Sequence, residues 1–276
     1  MRVSHWAYNA LGDGGSGTGL NFAVVEIVEA ERRLGLDSNV FDPSKEDEIK
    51  QGEADVHVVH STLPDCFFGH PRKVFFAHGT PEHCVTYELR GTPDMPFTAT
   101  LTWLREAEAI VTQWPRHKRI WDLFMERAEG VHLIRAGVNL ERWAPGEEKA
   151  QLMGNPAVLF CESWFEIKRP SELLWAFAAA CRQPTFGDAR LHLYNIPEGC
   201  KAFWATFLDH LNLRHWIGSF DGNKPQADLI KLYRGAGLLV APAPYGDQSR
   251  TCLEALACGV PVLSRSGSQN ASYTFD

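Results

Sequence analysis

The stretch of residues 241–263, APAPYGDQSRTCLEALACGVPVL, decides the fold. The apolar residues that lead into it are typical of a buried strand, and its prolines and first glycine predict a loop. A helix is predicted over residues 250–258, with Ser249 as its N-cap and Gly259 in the left-handed conformation after its last turn. Residues 260–263 predict a second buried strand, so the stretch forms one α/β unit with two parallel strands.

The start of this predicted helix is suited to bind an anion. Backbone N–H groups and the positive end of the helix dipole gather around Ser249, Arg250 and Thr251. Glu254 lies one turn further along on the same side, where its carboxylate can accept two hydrogen bonds from neighbouring hydroxyls, as a ribose offers. The pattern therefore indicates a nucleoside diphosphate that is held by its ribose and its phosphates.

The run EALACGVPV at residues 254–262 resembles the carboxyl-domain signature of retaining, nucleotide-sugar-dependent glycosyltransferases with two Rossmann-like domains, the GT-B architecture, and in particular their family 4. The resemblance covers residues 136–263 best, and it implies that Glu254 binds the ribose. The family carries another Glu eight positions earlier, facing the sugar. This chain has Gly246 there, so that role is assigned to the adjacent Asp247.

The family also clamps the diphosphate between two cations, an Arg in a Gly-Arg pair after the first strand of the domain and a Lys a few residues later. Lys168 matches the second cation, whereas Glu162 and Ser163 stand where Gly-Arg is expected. A departing diphosphate needs positive charge in a site without metal, so Arg169 or Arg250 is expected to supply it. The resemblance implies no metal and no resident cofactor, with a UDP- or GDP-linked sugar as the donor substrate.

A glycine-rich loop follows the first predicted strand, residues 3–8. Its sequence, GDGGSGTG at residues 12–19, allows the backbone to approach a ligand closely. It is not a dinucleotide fingerprint, which needs an acidic partner after the second strand, and it is not a P-loop, which needs Lys-Ser or Lys-Thr. Resemblance to the GT-B loop that leans toward the donor phosphates makes Gly14, Gly15 and Ser16 candidates, and a flexible connection is the alternative.

The segment VFFAHGTP at residues 74–81 combines an apolar strand with a histidine at its end. His78 is therefore expected at the carboxyl edge of the sheet, where open α/β folds bind their ligands. Family-4 enzymes carry a His in a comparable place near sugar and acceptor, so the resemblance gives His78 a substrate-contacting role. The alternatives are an ordinary strand-end histidine and acceptor contacts from Glu82 and His83.

Short apolar strands alternate with helical segments along the whole chain, which predicts parallel sheets covered on both faces. The 276 residues, 45% of them hydrophobic, can fill two cores. Together with the resemblance to GT-B enzymes, this implies an α/β fold with two Rossmann-like domains facing each other across a cleft, an acceptor domain at residues 1–148 and a donor domain at residues 149–276. Prolines, glycines and charges at residues 144–156 predict the linker.

Composition and charge narrow the functional class. The chain has no run of eighteen apolar residues and no amino-terminal signal, so a soluble cytoplasmic protein without membrane insertion is predicted. Seven cysteines without CxxC spacing favour reduced thiols. Residues 1–148 hold 15 Lys and Arg against 23 Asp and Glu, which disfavours non-specific attraction to a polyanion, whereas residues 149–276 hold 12 against 11.

The implied reaction is hexosyl transfer to an acceptor hydroxyl, with leaving group and acceptor on the same face so that the anomeric configuration is retained. The acceptor stays open among a small molecule, a glycan and a modified DNA base, and so does the oligomeric state. The run WPRHKRIW at residues 114–121 and the compact length make a viral-type enzyme on hydroxymethylated DNA, working in the host cytoplasm, an alternative. A non-catalytic nucleotide-sugar-binding protein and a nucleotide-sugar epimerase are the others.

Overall fold

The chain folds into two α/β units. The structure, a computed structural model, describes residues 1–8, 19–60, 63–79, 81, 104–125, 130–184, 186–243 and 249–265. The two units are Met1–Ala136 and Gly137–Asp276, and each contains one parallel sheet. This confirms the predicted class of two Rossmann-like domains. Within the described ranges, no helix has both the length and the apolar character needed to cross a bilayer.

Among the described residues of the first unit, six strands form its sheet. They are β1 (Arg2–Trp6), β2 (Asp37–Phe41), β3 (Val56–Val59), β4 (Lys73–Ala77), β5 (Ala109–Thr112) and β6 (Val131–Leu133). The helices used below are α1 (Gly19–Arg33), α2 (Glu46–Gln51) and α3 (Pro115–Met125). The strand order is β2-β1-β3-β4-β5-β6, so the chain changes its direction of growth between β1 and β3. That pair is the topological switch point, where ligands bind in open parallel sheets.

In the part of the second unit that the structure describes, the sheet has five strands. They are β7 (Ala157–Phe160), β8 (Arg190–Leu193), β9 (Ile217–Phe220), β10 (Leu238–Ala241) and β11 (Val262–Ser264). Its α-helices are α4 (Pro170–Cys181), α5 (Lys201–His210), α6 (Gln226–Gly235) and α7 (Arg250–Ala257). The order β11-β10-β7-β8-β9 places the switch point between β7 and β10.

Strand β7 is buried along its whole length, as expected for a central parallel strand that is covered on both faces. Its side chains alternate between two cores because successive residues of a strand point to opposite faces. Val158 and Phe160 join the core that contains Leu174 of α4, whereas Leu159 joins the core that contains Ala255 of α7. Helices on both sides of the sheet are therefore anchored to one strand.

The predicted end of α7 is confirmed and the predicted start of the last strand is wrong. Gly259 has φ of 83°, the left-handed conformation that glycine adopts at no steric cost. The N–H of Val260 then donates to the carbonyl of Ala255 at 2.9 Å. Val260 is therefore part of the helix ending, and β11 begins only at Val262.

The predicted linker, residues 144–156, packs on the second unit together with Trp143, which directly precedes it. Trp143 is 1% exposed and its ring centroid lies 5.6 Å from that of Tyr233. The N–H of Ala150 donates to the carbonyl of Lys231 at 2.9 Å. Because these residues belong to the core and the helix surface of the second unit, the observed division of the chain falls earlier than the boundary predicted at residue 148.

Candidate active site

The carboxyl ends of β7 and β10 form the switch point of the second unit. Glu162 lies just after β7, and the first turn of α7 follows the loop that leaves β10. The structure brings four of the predicted residues together here: Lys168, Ser249, Arg250 and Glu254. A parallel sheet binds its ligand at this edge, so the position of the group agrees with the predicted donor site.

Glu254 is a buried carboxylate with protein partners on both oxygens. It is 5% exposed, although it lies in the short helix α7. The hydroxyl of Tyr233 donates to Oε2 at 3.1 Å, and Nε of Arg250 donates to Oε1 at 2.6 Å. These two partners orient the carboxylate, one at each oxygen.

The hydroxyl of Tyr233 is kept in its donor form by its surroundings. Burial, together with the neighbouring Cys161 and Glu254, raises the pKa of Tyr233 well above its usual value. The phenol is therefore protonated at neutral pH and directs its hydrogen toward the carboxylate. Tyr233 was not recognised from the sequence, because its partner lies 21 positions away.

Glu162 is a second buried carboxylate, and the sequence analysis noted it only as a departure from Gly-Arg. It is 3% exposed. It accepts a hydrogen bond from the hydroxyl of Ser249, and its Oε2 lies 3.1 Å from Nζ of Lys168, whose side chain is 15% exposed. An acidic residue two positions after a wholly apolar strand was the available signal. Because of the ion pair with Glu162, Lys168, the predicted phosphate-binding residue, already has an anionic partner.

Ser249 occupies the N-cap position of α7 with an extended backbone, as predicted, but its side chain makes no capping hydrogen bond to the helix. The hydroxyl donates to Glu162 instead. A buried carboxylate is a stronger acceptor than a neutral group and attracts the hydroxyl across the site. Ser249 therefore links the end of β7 to the start of α7, and Thr251 lies partly exposed in the same helical turn.

Arg169 and Arg250 were the two cations expected to replace the missing clamp residue. Of these two, Arg250 contacts a buried carboxylate of the candidate site, that of Glu254. Arg169 adopts the left-handed conformation, with φ of 54°, directly before α4. Its Nη1 lies 3.5 Å from Glu172 and 3.9 Å from Glu166. The observed partners of Arg169 are therefore carboxylates of its own loop and helix. The remaining donor-site candidates, Gly14, Gly15, Ser16 and Asp247, lie outside the described residues.

The first unit places His78 where the sequence predicts it, directly after β4 at the carboxyl edge of the sheet. Its Nε2 lies 2.9 Å from Nδ1 of His60, which follows β3 in the same way. His60 in turn contacts His5 of β1. The sequence analysis missed His5 and His60, although histidines in or directly after three apolar strands were the signal. Glu82 and His83 lie outside the described residues.

The aromatic residues of the run 114–121 are part of the core. Trp114 is 3% exposed and Trp121 is fully buried. Nε1 of Trp121 donates to the carbonyl of Gly79 at 3.0 Å, and Lys118 pairs with Asp122 at 2.8 Å on the same helix. Neither tryptophan offers a face for a nucleobase to stack on. The observation that favoured a DNA acceptor is therefore absent.

Comparison with curated proteins relates the chain to glycosyltransferases. It is 30% identical over 155 residues to a D-inositol 3-phosphate glycosyltransferase of Saccharomonospora viridis, a match that covers 51% of the chain and 36% of that protein. A protein of the same description from Corynebacterium diphtheriae is 24% identical over 148 residues, with coverages of 49% and 34%. The matches thus span about a third of the length of these relatives. No protein-family model matches the chain.

Solved structures of similar fold cover almost the whole chain. Sucrose-phosphate synthase from Thermosynechococcus elongatus superposes with a TM-score of 0.71 at 15% identity, covering 97% of this chain and 82% of that one. Anabaena HepE, solved with UDP and glucose, gives 0.71 at 13% identity, with coverages of 100% and 83%. WaaG, a glycosyltransferase of lipopolysaccharide biosynthesis, gives 0.69 at 14% identity, with coverages of 98% and 83%. The chain has the GT-B fold.

The buried thiols of this GT-B chain are structural. Burial raises the pKa of Cys252 to about 12 and that of Cys258 to about 11, with the nearby carboxylates acting in the same direction. Burial also raises the pKa of Cys161 well above its usual value. A thiol with so high a pKa stays neutral and is a poor nucleophile, so these residues serve the packing around α7.

The charge on Glu162 is expected to limit affinity for a diphosphate. In Glu162→Gln the amide still accepts the hydroxyl of Ser249, but Lys168 loses its anionic partner and becomes available to phosphate. We expect UDP to bind about tenfold more tightly, a gain of about 1.4 kcal/mol, and the unliganded variant to unfold at a lower temperature. Calorimetric titration with UDP and thermal unfolding measure the two effects.

The matched control is Glu166→Gln, which removes a fully exposed carboxylate from the same loop. It should leave both the affinity for UDP and the unfolding temperature unchanged. Weaker UDP binding by Glu162→Gln would contradict the expectation and would indicate that Glu162 orients Lys168 instead of competing for it.

Proposed function

We propose that the chain is a glycosyltransferase that uses a nucleoside diphosphate sugar, with UDP as the preferred carrier. The observation that carries the proposal is the buried carboxylate of Glu254 at the switch point of the second sheet, held by Arg250 and Tyr233. UDP is favoured over GDP because HepE, which shares the fold, was solved with UDP and with UDP-glucose.

The residues of the site suit the two ends of such a donor. The carboxylate of Glu254 can accept hydrogen bonds from the two ribose hydroxyls. Lys168 and the amino-terminal turn of α7, with Ser249 and Thr251, supply positive potential for the diphosphate. Both groups lie on the same sheet edge, on elements that the core fixes in place, which is what preorganised binding requires.

In the proposed reaction the bond between the anomeric carbon and the phosphate oxygen breaks, and its electron pair stays on the β-phosphate. The acceptor oxygen bonds to the anomeric carbon and loses its proton. Lys168 and the start of α7 would stabilise the charge that develops on the departing phosphate, so the transfer is proposed to proceed without a divalent ion. We further propose that the anomeric configuration is retained, with departure and attack on the same face of the sugar.

The test is incubation of the chain with a panel of UDP- and GDP-linked sugars, with and without acceptors, in buffer containing a chelator. D-inositol 3-phosphate belongs in the panel because the matched relatives are named for it. We expect acceptor-dependent release of UDP, and a product whose anomeric coupling constant in NMR matches that of the donor. Binding of a donor without its breakdown would favour a non-catalytic protein, and conversion of the sugar without any acceptor would favour an epimerase.

A further inference from the structure

Three histidines of the first unit are joined nitrogen to nitrogen across the neighbouring strands β1, β3 and β4. Nδ1 of His5 lies 2.9 Å from Nε2 of His60, and Nδ1 of His60 lies 2.9 Å from Nε2 of His78. At the other end, Nε2 of His5 lies 2.8 Å from Oε2 of Glu31, in the last turn of α1. These four residues are called the histidine chain below. Its members contact one another in sequence and do not converge on a common point.

The interior of the histidine chain is dry and its outer end reaches water. His5 and His60 are fully buried, whereas the side chain of Glu31 is 24% exposed. Burial, together with the flanking His78 and His5, holds the pKa of His60 well below its usual value, so this ring is neutral. For Glu31, burial raises the pKa, but the hydrogen bond and the charge of His5 leave it lowered overall. Its carboxylate is therefore ionised.

When His5 is neutral, the ionised carboxylate of Glu31 fixes the position of every hydrogen in the histidine chain. A carboxylate only accepts, so Nε2 of His5 carries a hydrogen. If His5 is neutral, its Nδ1 is an acceptor and Nε2 of His60 must donate to it. The neutral ring of His60 then presents Nδ1 as an acceptor, so Nε2 of His78 must donate in turn. In a neutral His78 the remaining nitrogen, Nδ1, is consequently an acceptor.

We propose that the histidine chain is a proton relay, in which Glu31 sets the tautomer of His78 and stores at His5 a proton that His78 takes up. His78 is the group that meets the ligand. Glu31, His5 and His60 act through it and are positioning residues. The relay lies at the switch point between β1 and β3, the edge at which this sheet is expected to bind its ligand.

The proton transfer balances along the three rings. A ligand hydroxyl gives its proton to Nδ1 of His78, and the oxygen keeps the electron pair. The Nε2 hydrogen of His78 moves to Nδ1 of His60, and the Nε2 hydrogen of His60 moves to Nδ1 of His5. His78 and His60 end neutral with reversed tautomers, and His5 ends as an imidazolium beside the carboxylate of Glu31. The positive charge is thus held where an anion faces it.

The use of the relay in catalysis rests on the proposed function, because transfer to an acceptor hydroxyl releases one proton. The relay itself is a property of the folded chain and needs no donor or acceptor to be observed. Its test is therefore made on the unliganded protein, so that failure of the relay and failure of the glycosyltransferase proposal give different results.

The first measurement uses the wild-type chain labelled with ¹⁵N. Long-range ¹H–¹⁵N correlation spectra distinguish the two neutral tautomers of each imidazole, and side-chain correlations assign them. At a pH where all three rings are neutral we expect His5, His60 and His78 each to carry the hydrogen on Nε2. A neutral His78 with its hydrogen on Nδ1 would overturn the proposal without any variant.

The second measurement compares Glu31→Gln with Glu29→Gln, which removes a partly exposed carboxylate from the same helix. The titratable groups in contact with His5 are Glu31 and His60, and those in contact with His60 are His5 and His78. Loss of the carboxylate charge of Glu31 should lower the pH midpoint at which the histidine chain takes up its proton by one to three units. This shift should be seen at His78 as well as at His5. Glu29→Gln should leave both midpoints unchanged.

A shifted midpoint at His5 with an unshifted midpoint at His78 would overturn the relay, because the rings would then titrate separately. An equal effect of Glu29→Gln would also overturn it, since the shift would reflect only the net charge of the helix. In the glycosyltransferase assay, Glu31→Gln should shift the acidic limb of the pH profile by the same amount, whereas a merely structural role would lower the rate at every pH.

Discussion

Glu254→Gln is expected to weaken UDP binding by about a hundredfold, equal to about 2.7 kcal/mol. The amide keeps the size of the side chain and still accepts the hydroxyl of Tyr233, so the fold should be retained. What is lost is the charge that strengthens the hydrogen bonds from the ribose, and bonds to a charged group contribute about 1.5–3 kcal/mol. Calorimetric titration of the variant with UDP measures the effect.

The control for this prediction is Glu172→Gln, which removes a half-exposed carboxylate of α4 that pairs with Arg169 and Arg265. It should bind UDP like the wild type. Equal affinity of Glu254→Gln and the wild type would refute the assignment of Glu254 to the ribose and, with it, the placement of the donor at the switch point between β7 and β10.

Lys168→Met is expected to lower kcat by a factor of about 10² to 10³, with a smaller effect on KM. Methionine replaces most of the apolar stem of lysine but cannot neutralise the charge that forms on the departing β-phosphate. The loss should therefore appear mainly in the chemical step. The measurement is the rate of UDP release at saturating donor, using whichever nucleotide sugar the panel identifies.

The double variant Glu162→Gln with Lys168→Met separates this effect from damage to the buried pair. Removal of Lys168 alone leaves Glu162 buried without its ion-pair partner, which by itself destabilises the unit. The double variant removes both charges, so its stability should recover while kcat stays low. A kcat that recovers together with the stability would show that Lys168 has only a structural role.

Local sequence patterns were sufficient to predict the secondary structure and the α/β class. The strands predicted at residues 3–8 and 260–263 end within two residues of the observed β1 and β11, and the position of Gly259 after an amphipathic helix predicted its positive φ. The position of Glu254 could also be predicted from the sequence, because it depends only on the helix that is capped by Ser249. These features are set by residues close together in the chain, where periodicity and capping are informative.

The side-chain contacts within the candidate sites could not be predicted from the sequence in the same way. Glu162 and Ser249 are 87 positions apart, and His5 and His60 are 55 apart. Such pairs meet only because β7 lies beside β10 and β1 lies beside β3, and strand order is not encoded in any single segment. The role of Glu162 and the histidine chain therefore required the three-dimensional arrangement.

The basic and aromatic run at residues 114–121 shows a different limit. Trp114 and Trp121 are seven positions apart, which places them on the same face of a helix. The sequence alone does not say whether that face meets the core or a ligand. Here Trp121 packs against Phe75 of the sheet. The alternation of basic and aromatic residues therefore reflects a helix with one solvent-exposed face and one buried face.

Strand β7 contributes side chains to the packing on both faces of its sheet, and Glu162 lies directly beyond its end. Helices on opposite sides of the second unit should thus lose their protection from hydrogen exchange together, as one cooperative block. A nucleotide that engages the end of this strand should slow exchange in the distant helix α4 as well as in the adjacent α7. Nucleotide binding would then be detectable as slower hydrogen exchange of backbone amides that do not contact the ligand.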